Sequence, residues 1–98
     1  MPYINTSSRA FIEPSINDLV DTMKEIDGGD VVSAGLANYV ISSTIVRTLR
    51  PPSGWTYGSL SKALAVFRDA EAEMRRRLLD PYEDKAIAKN GDIPEYEQ

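Results

Sequence analysis

Five side chains in this sequence have the chemistry to hold a small anionic ligand: Arg47, Arg50 and Arg76 for phosphate-like oxygens, and Trp55 and Tyr82 for a ring carried on the same molecule. A guanidinium presents donors in a planar fork that matches phosphate or carboxylate oxygens, and an aromatic face stacks on a base. Arg47 and Arg50 fall one helical turn apart. Arg75, Arg76 and Arg77 follow one another, and at 100° per residue they fan around a helix, so the three cannot converge on one ligand. Glu71 stands four residues before Arg75 and Glu73 four before Arg77, the orientation that favours ion pairs along a helix. Arg76 has only Glu73, three residues earlier, and is the least committed of the run. The stretch Pro51-Pro52-Ser53-Gly54-Trp55 combines rigid prolines, a flexible glycine and a large aromatic, which suits a binding loop. The same residues also read as plain structure: a solvated, internally paired arginine face, Trp55 stapling a helix, and Tyr39 filling a core.

Catalysis has less to work with. The chain contains no histidine and no cysteine, which removes the usual neutral-pH general base, the thiol nucleophile and the imidazole and thiolate metal ligands. Asp69 and Glu73, and Asp18, Asp21 and Glu25, recur at helical spacings that could approach Mg²⁺, but the paired Glu-x-x-Glu clusters of helical nucleotide pyrophosphatases are missing. Gly28-Gly29 lacks the Lys-Ser/Thr that follows a phosphate loop. No catalytic residue, metal ligand or cofactor is expected.

Charge is distributed unevenly along the 98 residues. Residues 1–30 hold six acids against two bases, residues 31–80 seven bases against four acids, and residues 81–98 five acids against two bases, for a net charge of −4. A basic band lies between two acidic ends. The net acidity disfavours nucleic acid, whose non-specific binding is driven by phosphate neutralisation; a helix-turn-helix reading of the central and third helices is disfavoured on the same ground. No apolar run reaches the 18–20 residues of a membrane span, and the Met1–Arg9 stretch lacks the apolar core of a secretion signal, so a cytoplasmic protein without a membrane partner is expected.

The elements that must position these side chains are helical. Ile16, Leu19, Val20, Met23 and Ile26 define a first amphipathic helix over Pro14–Ile26, with Arg9–Glu13 as a short preceding turn and Gly28-Gly29 as its stop. Asp30 to Leu49 is rich in β-branched residues, yet neither strand face would be clean, whereas helical spacing aligns Ala34, Ala37, Ile41, Ile45 and Leu49. A central helix capped by Asp30 and ended by Pro51-Pro52 follows. Thr56 caps a third helix with the stripe Leu60, Ala63, Phe67, Ala70, Met74 and Leu78. Asp80-Pro81-Tyr82-Glu83 then reads as a new start, with Asp80 as N-cap and Glu83 closing the box, over Pro81–Lys89. The fold class is all-α, a small bundle of three main helices plus a short C-terminal helix, in one domain over residues 1–90 with a flexible tail over 91–98. A third helix of about 24 residues spans about 36 Å and a first of about 13 only about 20 Å, so Phe67, Ala70, Met74 and Leu78 outrun their cover. A homo-oligomer, most simply a two-fold dimer, is expected to bury them.

Asn38-Tyr39-Val40-Ile41, Arg76-Arg77-Leu78, Pro81-Tyr82-Glu83-Asp84-Lys85 and Asn90-Gly91-Asp92-Ile93 together resemble a group of short uncharacterised proteins encoded by bacteriophages and by prokaryotic genomes that carry such elements. The resemblance spans residues 38–93 and implies a phage-accessory context inside a bacterial host, with no functional residue to carry over. By analogy, small phage proteins without catalytic equipment act by binding. Two expectations follow: a non-catalytic protein that sequesters a small anionic ligand, such as a signalling nucleotide of bacterial immunity, or a helical interaction module that blocks or bridges a host protein.

Overall fold

A computed structural model describes residues 4–97, so the first three residues of the Met1–Arg9 stretch and Gln98 of the tail lie outside it. Helix α1 runs Thr6–Asp27, α2 Ala34–Leu49, α3 Tyr57–Met74 and α4 Asp80–Asn90, with a π-helical turn over Arg75–Leu79 and a 3₁₀ turn over Pro94–Tyr96. The described residues are all-α, as the spacing predicts. None of their helices is long and apolar enough to cross a membrane.

The beginning of α1 differs from expectation. Asn5, in extended conformation, accepts the Ser8 N–H on its side-chain oxygen at 2.8 Å, and that cap starts the helix eight residues before Pro14. The proline therefore sits inside α1, at the cost of one backbone hydrogen bond and a crowded preceding turn. The longer helix adds Ile12 to the apolar stripe, one turn before Ile16. Gly28 ends it in the left-handed conformation at φ 68°, donating to the Lys24 carbonyl.

Asp30 does not cap α2. Ser33 does, accepting the Leu36 N–H at 3.2 Å, while the carboxylate that shapes the loop belongs to Asp27, which takes the Ser33 N–H at 2.6 Å. Within α2 the Thr44 and Thr48 hydroxyls each donate to the carbonyl four residues back at 2.7 Å, so the polar groups that would spoil a strand face are satisfied on a helix. Arg50 leaves the helix at φ −76°, ψ 122°, the extended conformation that Pro51 imposes on its predecessor.

Thr56 and Ser59 form a reciprocal capping box for α3, with Ser59 N–H on Thr56 Oγ1 at 3.1 Å and Thr56 N–H on Ser59 Oγ at 2.9 Å. No break follows at Asp80. That residue is helical at φ −60°, ψ −47°, its side chain makes no cap, and its N–H bonds the Arg75 carbonyl five residues back. Pro81 has no N–H to continue the α ladder, and the wider turn lies immediately before it. Residues 57–90 thus form one rod, which at 1.5 Å per residue is about 51 Å long and accounts for the 53 Å longest dimension.

The rod and α2 make the main tertiary contact: α2 packs against α3, and α1 has no substantial contact with any other helix. Ala63 is the one buried residue among those described. Tyr39, expected in a core, is 69% exposed. The radius of gyration is 18.2 Å, against about 13 Å for a compact domain of this length. The chain exposes 8498 Å², where a folded monomer of its 10.9 kDa mass exposes about 5,600 Å². A chain this open does not close a core from its own helices.

Candidate functional site

The arginine run is engaged within its own helix. Arg75 holds Glu71 through Nε at 2.9 Å and a terminal nitrogen at 2.6 Å, Arg76 reaches Glu73 at 3.1 Å, and Arg77 Nε donates to Glu73 at 2.8 Å. The hydrogen bonds from Arg77 and then Arg76 hold the Glu73 carboxyl below the ordinary glutamate value of 4.5. The hydrogen bond from Arg75 to Glu71 raises the Arg75 guanidinium above its ordinary value. Both pairings follow from i, i+3 and i, i+4 spacing on one helix.

Arg47 and Arg50 make no ion pair among the described residues. Arg47 lies in the last turn of α2 beside a shallow groove with Tyr39, Ser42, Ser43 and Val46. Arg50 is the extended residue after α2, exposed. Trp55 is half-buried, one residue before the Thr56 cap. Tyr82 is 72% exposed and lines a different groove on the rod, with Met74, Leu78 and Leu79. Arg76 lies beyond Met74, toward the end of α3 away from the α2–α3 connection, whereas Arg47 and Arg50 lie beside that connection. The five residues are thus spread along α2, the loop and the rod.

A larger concave feature than either of these grooves lies elsewhere. A groove of about 570 Å³ runs between α2 and α3, with Val40, Ile41 and Ile45 on one wall and Val66, Phe67, Ala70 and Met74 on the other. The two polar residues on its border are already engaged: Thr44 with the Val40 carbonyl, and Glu71 with Arg75. Met74 and Glu71 also border the groove that leads to Tyr82, so the apolar surface continues along the rod. Phe67, Ala70 and Met74 belong to the stripe visible in the sequence. Val66, three residues after Ala63 and four before Ala70, belongs to it by the same spacing. What sequence spacing lacks is the pairing of this stripe with Val40, Ile41 and Ile45, which arises only when α2 turns back through Pro51-Pro52.

Such walls can do little chemistry. Carbon surface flanked by satisfied polar groups offers no nucleophile and no oxyanion donor, and it suits the apolar face of another helix. Among the described residues no group of three or more carboxylates converges to hold a metal ion.

Residues 1–93 match the family model described as a domain of unknown function, DUF6899. No curated protein and no solved structure matches the chain. The chain belongs to the DUF6899 family.

Proposed function

We propose that this DUF6899 chain is a non-catalytic helical interaction module whose α2–α3 groove seats an amphipathic helix. The groove itself carries the reading: it holds about 570 Å³, its walls are aliphatic and aromatic carbon, and no other described helix covers it. A helix laid in such a groove engages it through side chains at i, i+3, i+4 and i+7. The arginines at 75–77 act as solvated partners of Glu71 and Glu73, keeping the rod soluble beside the apolar strip. Blocking or bridging a host protein in a phage-accessory setting is a role such a module can fill.

One observation keeps sequestration of a small anion as a second reading. Arg47 and Arg50 are the cations near the Pro51-Pro52 loop, they carry no partner carboxylate among the described residues, and Tyr39, Ser42 and Ser43 stand beside Arg47.

A photo-crosslinker separates the two. The chain has no cysteine, so Val66→Cys and Ala72→Cys each give a single attachment point, the second on the opposite side of α3 by helical periodicity. A benzophenone at residue 66 is expected to capture a polypeptide that the same group at residue 72 does not. No polypeptide captured at residue 66 contradicts the module. A melting-temperature rise with linear or cyclic nucleotides that Arg47→Ala and Arg50→Ala both erase transfers the function to the anion site.

A further inference from the structure

The helix that fills the groove can be identified from this chain. Helix α1 is 22 residues long, about 33 Å, enough to cover the apolar strip that the groove and its continuation form along the rod from Val66 to Tyr82, about 26 Å. Ile12, Ile16, Leu19 and Met23 form a stripe on one side of α1, and the first three are each more than 40% exposed because α1 has no substantial contact with another helix. An amphipathic helix without a groove and a groove without a helix occur in the same molecule.

Charge matches as well. α1 carries five acids, Glu13, Asp18, Asp21, Glu25 and Asp27, against Arg9 and Lys24, whereas residues 34–79 carry seven bases against three acids. We propose that α1 of a second copy of this chain occupies the α2–α3 groove, and that the exchange is reciprocal in a two-fold dimer. This rests on the interaction-module reading of the groove and names its occupant.

The exposed surface favours a second copy over a foreign helix. The observed 8498 Å² exceeds that of a compact monomer by about 2,900 Å² per chain, and the α1 stripe and the groove are both part of what is exposed. Reciprocal exchange covers both of them on both chains at once. A foreign helix in the groove leaves the α1 stripe bare. Two-fold symmetry closes the assembly, since each chain gives one helix and receives one. The loop over residues 28–33, held by Asp27 on the Ser33 N–H, joins α1 to α2 without bringing α1 onto α2 of its own chain.

The test uses the full chain in two isotopic forms. Ile16→Cys in ¹⁴N protein is labelled with a benzophenone, co-refolded with excess unlabelled ¹⁵N protein of native sequence, irradiated and digested. The expected products join a ¹⁴N peptide from residues 6–27 to ¹⁵N peptides from residues 34–49 or 57–74. The same label on Asn17→Cys, off the apolar stripe, is expected to give several-fold less, and a helical circular dichroism spectrum from both labelled chains shows that each is folded. Products that are ¹⁴N on both sides despite the excess place α1 on its own groove and overturn the proposal. Products joining α1 to α1 overturn it while leaving the groove open to another helix. If the label at residue 66 also captures no polypeptide, the interaction-module reading falls with it.

Discussion

Arg77 Nε donates to Glu73 Oε2 at 2.8 Å, one helical turn back, and Arg76 reaches the same carboxylate at 3.1 Å. Two cations of the arginine run therefore share one acid. With Arg75 on Glu71 at 2.6 Å, the densest basic stretch of the sequence is paired along its own helix, three guanidiniums on two carboxylates.

The pairing gives stability a defined pH dependence. Because the folded Glu73 carboxyl lies below its ordinary value of 4.5, the unfolded chain takes up its proton first as pH falls. The contribution of Glu73 is complete above about pH 4.5 and is lost as pH drops through the lower, folded value. Urea midpoints measured between pH 6 and 3 are expected to decline more gently in Glu73→Gln than in the parent. Parallel curves would show that the pairing does not persist in solution.

Pro14 inside α1 gives a second expectation. Proline in a helix interior costs about 3 kcal/mol relative to alanine, partly offset by its smaller unfolded-state entropy. Pro14→Ala is expected to stabilise the protein by about 2 kcal/mol in urea denaturation. Destabilisation would mean that residues 6–13 are not helical in the assembled protein.

Helix caps illustrate how far the sequence could be read. Thr56 was legible because the Pro-Pro-Ser-Gly break leaves one capping residue before the stripe. Asn5 was hidden by Pro14, which reads as a helix start, and Ser33 by Asp30, an equally competent cap three residues earlier. The choice was made by Asp27, whose carboxylate takes the Ser33 N–H. The fusion of α3 with α4 depends on the wide turn at Arg75–Leu79, for which Asp80-Pro81 gives the opposite local signal. The pairing of Arg75 and Arg77 with acids four residues earlier was legible, being local. The groove was not, because one helix's periodicity shows its stripe and not the neighbour that makes it concave.

The groove gives a third expectation. Ala70→Asp places a carboxylate among Val66, Phe67 and Met74, and an uncompensated buried charge costs about 3 kcal/mol or more, a hundredfold or more in a dissociation constant. Ala72→Asp, on the opposite side of α3, is expected to change stability by about 0.5 kcal/mol or less. Light scattering on both variants checks this. Equal association by the two would remove the groove from the interface.

A chain that completes its core only by engaging its groove with another helix must lose helix when that helix is diluted away. Dilution of the purified protein from about 100 μM to about 0.1 μM, followed by light scattering and far-ultraviolet circular dichroism on the same samples, reads this coupling. The expected result is a species of about twice the 10.9 kDa chain mass that loses helix as it dissociates, since assembly and folding are then one equilibrium. A 10.9 kDa monomer that stays fully helical and unfolds cooperatively at every concentration would contradict it.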